Sequence, residues 1–190
     1  MNMVFFLQFV SSLAVCFAAV LVLMIPFVNF AIIKKRNDVA DIMWGLSFIV
    51  ISWSSRIYSH NTSMLSLIID LLVSIWGIRL SYHISKRWLK FKEEERRYAD
   101  MRSSWKKNED LNTFTIVFLF QAILAILVSI PVILINTYAN STKGYFYLGI
   151  AIWIFGFTYE AISDMQLKKF IQNPENKGQI MKSGLFKYSR

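Results

Sequence analysis

Cysteine and histidine, which form disulfides and most zinc sites, are nearly absent from this sequence. Among its 190 residues are one cysteine, Cys16, and two histidines, His60 and His83. One cysteine cannot form a disulfide or a C-x-x-C site within the chain, and two scattered histidines lack the spacing of a zinc site. The sequence therefore predicts no metal. Cys16 lies in an apolar run and is expected to pack as a small apolar side chain.

Glycine is scarce as well, and its positions exclude the common nucleotide-binding loops. None of the 7 glycines belongs to a G-x-G-x-x-G or a Walker motif, and Gly178 and Gly184 are isolated. A Rossmann or P-loop site is therefore not expected, because both need backbone amides presented by a glycine-rich turn. If a nucleotide cofactor binds this chain, a helical scaffold has to hold it.

Acidic residues are fewer than basic ones, and the net charge is +9. In a soluble protein such an excess suggests nucleic-acid binding. Here, however, 55% of the residues are hydrophobic, mean hydropathy is +0.43, and the basic residues flank apolar runs. This pattern is typical of the cytoplasmic loops of a membrane protein, so no nucleic-acid partner is expected.

Long apolar runs dominate and predict an all-α, polytopic membrane helix bundle. A helix needs about 20 apolar residues to cross the bilayer core. We predict a single membrane domain over residues 1–190 with about five transmembrane helices, at residues 4–33, 39–57, 64–84, 113–135 and 145–162. The second is the weakest because it contains Asp41 and Arg56. The first has no basic residues before it and no clear cleavage site, which favours a retained span over a signal peptide.

The basic residues alternate with these spans in a way that predicts the orientation. Three basic segments follow spans one, three and five: residues 34–36, nine Lys or Arg within 86–107, and six within 168–190. Five spans place all three segments on one side, which the positive-inside rule makes cytoplasmic. The N-terminus is then outside and the C-terminus in the cytoplasm, in a bacterial inner membrane or in the endoplasmic reticulum.

Charged side chains inside apolar runs are costly and need a partner or a function. Asp70 and Arg79 in the third span are nine residues apart, so they cannot pair with each other on one straight helix. Each should find a partner on another helix or reach an interface. Asp41 and Arg56 lie near span ends, and we expect them to extend to the interface.

Residues 86–110 mix basic side chains with aromatic ones, among them Trp88, Phe91, Tyr98 and Trp105. Because aromatic side chains favour the headgroup zone, we expect an amphipathic helix lying on the anionic cytoplasmic leaflet. The alternative is a solvated loop with charged pairs.

Glu160, Asp164 and Lys168 lie four residues apart near the end of the fifth span and share one helix face. Such an acidic–acidic–basic stripe could hydrogen-bond ribose hydroxyls or an amide and meet a phosphate. It could equally be a helix end that leaves the membrane, with Asp164 and Lys168 as an ordinary ion pair. Glu160, inside the apolar run, argues against the second interpretation, and the residues alone leave both open.

A set of short motifs extends over about residues 38–190. It comprises Trp76-Gly77-Ile78-Arg79-Leu80, Arg87, Glu94-Glu95-Arg96-Arg97-Tyr98, Arg102, Trp105, Gly156-Phe157-Thr158-Tyr159-Glu160, Asp164-Met165-Gln166-Leu167, Phe170, Lys177-Gly178 and Gly184-Leu185-Phe186-Lys187-Tyr188-Ser189-Arg190. Together these motifs resemble the DUF1295 membrane proteins, relatives of steroid 5-alpha-reductase and the sterol reductases. In that family the last arginine is typically followed by His-Pro-Asn-Tyr and a Gly-Glu, so we expect the chain to lack the family's C-terminal part.

The resemblance implies an all-helical membrane enzyme that uses NADPH to reduce a C=C bond in a lipid or steroid-like substrate. It assigns no catalytic residue. By that similarity eight residues would contribute to cofactor binding: Glu160 and Asp164 in the pocket, Lys168 near a phosphate, Gly184, Tyr188 and Arg190 at the start of its second half, and Arg97 and Tyr98 at the cytoplasmic mouth.

Two other functions remain open. Membrane methyltransferases of the isoprenylcysteine or phospholipid type resemble this group in an Arg-His-Pro region and use S-adenosylmethionine. The order of Glu160, Asp164 and Gln166 before Gly184 favours the reductases. A non-enzymatic membrane scaffold would bind no cofactor and would tolerate Glu160→Gln and Asp164→Asn.

Overall fold

The computed structural model describes residues 3–139 and 144–188, and those two ranges contain no strand. Their six helices are α1 (Met3–Lys34), α2 (Ala40–Tyr58), α3 (Met64–Lys90), α4 (Arg96–Ser103), α5 (Glu109–Tyr138) and α6 (Gly144–Gln172). Three short 3-10 turns lie at Asn37–Val39, Pro174–Asn176 and Gly184–Lys187. The chain divides into an N-terminal unit, residues 1–141, and a C-terminal unit, residues 142–190. The prediction of an all-α fold is confirmed.

Four of these helices are long and apolar enough to cross a membrane: α1, α3, α5 and α6. Helix α2 has a suitable length of 19 residues but is less apolar, because Ser47, Ser52 and Ser55 lie on its buried face. Each predicted span thus coincides with a helix. The five-span topology, its orientation and the single membrane domain stay predictions.

Helix α2 is the central helix of the N-terminal unit and packs against α1, α3 and α5. Two apolar clusters form along it. One surrounds the fully buried Met43 and includes Met24 and Phe118, and the other surrounds Ile51 and includes Val20. The less apolar helix is therefore inside the unit, while the more apolar ones have exposed outer faces that suit lipid.

Two glycines allow the backbones of α2 and α3 to contact each other where the helices cross. A Cβ on Gly77 would lie 2.6 Å from the carbonyl oxygen of Gly45, and one on Gly45 would lie 2.7 Å from that of Gly77. Real Cβ atoms do not approach oxygen so closely. Small residues at such a crossing are the usual way in which membrane helices pack tightly.

A polar network lies inside the same three helices. Asp70 of α3 is fully buried; its Oδ1 accepts hydrogen bonds from the hydroxyl of Ser52 and from Asn136 Nδ2, the latter at 2.9 Å. Arg56 Nε lies 3.6 Å from Asp70 Oδ2. The expectation that Asp70 finds a partner on another helix is confirmed. Arg56 Nε also donates to the carbonyl oxygen of Asn61 at 3.0 Å, beyond the end of α2. The expectation that Arg56 extends to the interface stays a prediction.

Asn136 of α5 completes this network. Its Nδ2 also donates to the carbonyl oxygen of Ser52 at 2.8 Å, and its Oδ1 accepts a hydrogen bond of 2.6 Å from Ser66. One amide thereby joins α2, α3 and α5. Because buried polar groups require specific partners, the network fixes the register of the three helices.

The segment between α3 and α5 does not form the amphipathic surface helix that its aromatic residues suggest. Tyr98 of the short helix α4 is buried, and Met101 and Trp105 pack against the apolar cluster around Met43. These side chains find apolar cover within the protein, and the surrounding charges form pairs, as the loop alternative anticipated. Leu89 and Phe91 at the end of α3 stay exposed.

We expect Gly77→Ala to destabilise the N-terminal unit by about 1–3 kcal/mol, the usual cost of overpacking, because the new methyl group collides with the backbone of α2. Gly156→Ala is the matched control, since a Cβ there has no atom within 4 Å. Thermal unfolding in detergent measures both. Equal melting temperatures for Gly77→Ala and the native chain would contradict the close crossing.

Removing the Asp70 carboxylate should be far more damaging than neutralising it. Asp70→Ala removes the acceptor of the Ser52 hydroxyl, one acceptor of Asn136 and the carboxylate that faces Arg56, and we expect a loss of about 3–5 kcal/mol, as for other broken buried pairs. Asp70→Asn keeps one acceptor oxygen and should lose less. The melting temperatures of the two variants, relative to the native chain, test the order; the reverse order would count against the network.

Candidate functional site

Charged side chains gather at the end of the N-terminal unit where the α1–α2 connection meets the α3–α5 connection. We call this set the ion-pair cap, and its members are Arg36, Asp38, Asp41, Glu94, Glu95, Arg97, Tyr98 and Arg102. The set combines four acidic side chains, from positions 38, 41, 94 and 95, with the basic residues around them.

Asp38 is the most enclosed carboxylate of the cap. It accepts hydrogen bonds from Arg36 at 2.8 Å, from the indole N–H of Trp88 at 2.9 Å and from the backbone N–H of Glu95 at 3.2 Å. The Arg36 guanidinium lies 4.2 Å from the centre of the Trp88 ring. Both carboxylate oxygens are satisfied, so Asp38 ties the α1–α2 connection to the end of α3.

Glu94 has the same role for α4 and α5. It accepts a hydrogen bond of 2.7 Å from Arg102 and one of 2.5 Å from the backbone N–H of Asn37. Asn37 in turn accepts a hydrogen bond from Thr113 at 3.2 Å. Thr113 begins a π-helical turn, Thr113–Leu119, within α5. Such turns are frequent at functional sites.

Asp41 and Tyr98 form the third part of the cap. The Tyr98 hydroxyl donates to Asp41 Oδ1 at 2.6 Å and accepts from Gln121 Nε2 at 3.1 Å, while Arg97 donates to Asp41 Oδ2 at 2.9 Å. Burial of the phenol, together with the Asp41 carboxylate, raises the pKa of Tyr98 above its ordinary value. The carboxylate of Asp41 is bonded within the cap at the first turn of α2, and the expectation that it extends to the interface stays a prediction.

The acidic–acidic–basic stripe lies on α6 in the C-terminal unit. Glu160 and Asp164 are half-buried and Lys168 is exposed, all within the continuous helix Gly144–Gln172. The helix continues ten residues past the predicted end of the span at position 162. Because these residues recur every four positions, they share one face as predicted.

After α6 the chain folds back onto the same helix. The backbone N–H of Leu185 donates to Gln166 Oε1 at 2.9 Å, and the Tyr159 hydroxyl donates to the carbonyl oxygen of Leu185 at 2.8 Å. Gly184 precedes this contact with a φ of +63°, and a Cβ there would lie 2.3 Å from Gln166 Oε1. Only glycine satisfies both the left-handed backbone and the close approach. We call this contact the fold-back.

The match of the chain to a protein-family model shows which family it belongs to. A family model described as "Protein of unknown function (DUF1295)" matches residues 27–190. The chain belongs to the DUF1295 family. No curated protein and no solved structure matches it. The family description names no activity, so the function of this DUF1295 chain has to be inferred from its own residues.

The structure distributes the predicted cofactor-binding residues over both units. The C-terminal unit brings Glu160, Asp164 and Gly184 to the same stretch of α6, with Lys168 one turn further and Tyr188 exposed. Arg97 and Tyr98 belong to the ion-pair cap, where Tyr98 is buried rather than open at a mouth. Arg190 lies outside the described residues. Their role in cofactor binding stays a prediction.

Two residues of the fold-back escaped the sequence analysis as candidates. Tyr159 and Gln166 are seven residues apart, which is two helical turns, so they lie on one face and can reach the same Leu185 backbone. That spacing was a usable signal. The contact between Asp38 and Trp88 had no comparable signal in the sequence, because 50 residues separate them. Within the described residues, no group of three or more metal-ligating side chains is placed to hold an ion.

Tyr98 should make the stability of this DUF1295 chain sensitive to alkaline pH. Its raised pKa means that the stabilising contribution is complete below the ordinary tyrosine pKa of about 10 and is lost as pH rises above it, by up to about 1.4 kcal/mol per pH unit. Tyr98→Phe has no hydroxyl to titrate and therefore lacks this pH-dependent contribution to stability. The native chain should therefore melt at a higher temperature than Tyr98→Phe at about pH 9, and this difference should shrink by about pH 11. The two pH values lie on either side of the ordinary tyrosine pKa of about 10.

Tyr82→Phe is the control for this pH series, because Tyr82 is exposed on α3. Its difference from the native chain should not change with pH. A Tyr98→Phe difference that is equally constant would contradict the buried, neutral phenol.

Proposed function

We propose that this DUF1295 protein is a multi-pass membrane enzyme that uses NADPH to reduce a C=C bond in a lipid or steroid-like substrate. Its five apolar helical segments would cross the bilayer with the N-terminus outside and the C-terminus in the cytoplasm. The three basic segments, which follow spans one, three and five, support that orientation. The ion-pair cap would then lie on the cytoplasmic side.

The observation that carries the proposal is the fold-back beside the stripe of α6. Tyr159 and Gln166 hold the Gly184–Leu185 backbone along the same two turns that bear Glu160 and Asp164. The two sequence segments that the resemblance assigns to one cofactor pocket thereby meet at the same two turns of α6, with the fold-back on the face of Tyr159 and Gln166.

The donor and acceptor set of this region suits a nucleotide cofactor. Carboxylates such as Glu160 and Asp164 accept hydrogen bonds from ribose hydroxyls or from a carboxamide, and the exposed ammonium of Lys168 can meet a phosphate. The Ser163 hydroxyl, on the turn between the two carboxylates, is a buried oxygen without a hydrogen-bond partner among the described residues. It is an unused donor of the kind a bound ligand satisfies.

The chemistry divides between the cofactor and the chain. NADPH supplies the hydride when it is bound. The chain has to orient the cofactor, admit a lipid substrate from the bilayer between helices, and stabilise charge that develops on the substrate oxygen. A bundle of membrane helices would admit the lipid from the bilayer and the cofactor from the cytosol, because the stripe of α6 runs from an apolar stretch into the polar end of the helix.

Binding of NADPH to the detergent-purified chain tests the proposal. We expect saturable binding that S-adenosylmethionine does not compete away. Asp164→Asn and Glu160→Gln should each weaken it about tenfold, the usual loss for a charge-assisted hydrogen bond. Asp110→Asn, at an exposed carboxylate of the N-terminal unit, is the control.

The outcomes separate the candidate functions. Competition by S-adenosylmethionine would favour a membrane methyltransferase. Unchanged NADPH affinity in both carboxylate variants would contradict the assigned pocket. Absence of binding by either cofactor, with no effect of the variants on any property, is the result that a scaffold predicts.

A further inference from the structure

Trp88 separates a polar cavity from an apolar groove in the N-terminal unit. The cavity, of about 340 Å³, is lined by side chains that include Arg36, Asp38, Arg87, Phe91 and Glu93. The groove, of about 280 Å³, is lined by Pro26, Phe27, Phe30 and Val39. Trp88 lines both, so the polar cavity and the apolar groove adjoin at this side chain. The cavity volume lies within the range of about 300–1,000 Å³ that small-molecule sites have, and the groove is slightly smaller than that range.

The positions along α1 place the groove at the depth of lipid chains. Phe30 and Pro26 precede the helix end at Lys34 by four and eight residues. At a rise of 1.5 Å per residue, they lie about 6 and 12 Å below that end. With α1 across a bilayer, the groove is level with the first acyl carbons and the cavity is level with the headgroups. A ligand with one polar and one apolar end matches this arrangement.

The charges of the cavity leave one carboxylate available. Asp38 pairs with Arg36 at 2.8 Å and Glu95 pairs with Arg87 at 2.9 Å. Glu94 pairs with Arg102 at 2.7 Å. Glu93 is exposed and, in the part of the chain that the structure describes, has neither an ion pair nor a hydrogen bond. A cationic group in the cavity would therefore meet Glu93.

The aromatic rings decide which cationic group fits. Quaternary ammonium groups are recognised by open aromatic faces. The Trp88 ring is already covered by Arg36 at 4.2 Å and packed edge-on by Phe30 at 5.6 Å between centroids. Lys90 Nζ lies 5.9 Å from the centre of the other ring of the cavity, Phe91. A primary ammonium needs no free ring, because it donates hydrogen bonds to a carboxylate. Arg87 is bonded to Glu95 through one nitrogen, and its remaining N–H groups can meet a phosphate.

We propose that this site binds a phospholipid with a primary amine in its headgroup, of the phosphatidylethanolamine type. The ammonium contacts Glu93, the phosphate contacts Arg87, and the first carbons of an acyl chain lie along Phe27 and Phe30. The site is independent of the proposed cofactor region, which lies in the C-terminal unit.

Native mass spectrometry of the full chain in detergent tests the proposal with three lipids that share their acyl chains: phosphatidylethanolamine, phosphatidylcholine and phosphatidylglycerol. We expect phosphatidylethanolamine to bind about fivefold more tightly than the other two, which is the upper end for a partly exposed ion pair. Glu93→Gln should reduce its affinity to that of phosphatidylcholine. Asp100→Asn, at an exposed carboxylate of α4 outside the cavity, should leave it unchanged.

Free phosphoethanolamine distinguishes a lipid site from a headgroup site. Without an acyl chain in the groove, it should bind at least tenfold more weakly than the lipid, since burial of a few methylene groups alone is worth that much. Equal affinities of the three lipids, a preference for phosphatidylglycerol, or an unchanged preference in Glu93→Gln would each overturn the proposal. Equal binding of phosphoethanolamine and the lipid would overturn the role of the groove.

Discussion

A fully buried carboxylate inside an apolar helix bundle limits how the surrounding helices can pack. Asp70 is tolerated because Ser52, Asn136 and Arg56 converge on it from α2 and α5. A shift of one residue in any of these helices would rotate a partner by about 100° and leave buried polar groups unpaired. The Gly45–Gly77 crossing then sets the distance between α2 and α3.

The ion-pair cap sits at the opposite end of α2 from the network. Asp41 lies in the first turn of α2 and Ser52 eleven residues later, about 16 Å along the axis. Between them lie the apolar clusters around Met43 and Ile51. The unit is therefore closed by polar contacts at both ends, and its basic connections are folded against the bundle by Asp38 and Glu94 rather than left in solvent. This leaves the sides of α1, α3 and α5 to the lipid.

The local pattern of hydrophobic residues predicted the helices well, because a run of about 20 apolar residues has few stable structures other than a helix. It also predicted the shared face of Glu160 and Asp164, and the need of Asp70 for a partner. It did not predict that Tyr98 and Trp105 turn inward, since an aromatic residue among charges suits a headgroup zone and a protein interior equally. Nor could it pair Asp41 with Tyr98 or Arg36 with Trp88, because such contacts depend on how distant segments meet. Gly184 and Gln166 were both noted in the sequence, but nothing local indicated that the two would be in contact.

The π turn of α5 gives that helix two registers instead of one. An added residue within a single turn rotates everything on one side of it by about 100° relative to the other. Thr113, which bonds Asn37 in the cap, begins the turn, whereas Asn136, which serves the buried network, lies well beyond it. The two polar contacts of α5 consequently need not obey a common helical periodicity. One continuous helix can therefore satisfy two sets of partners that a regular helix of the same length would present at incompatible angles.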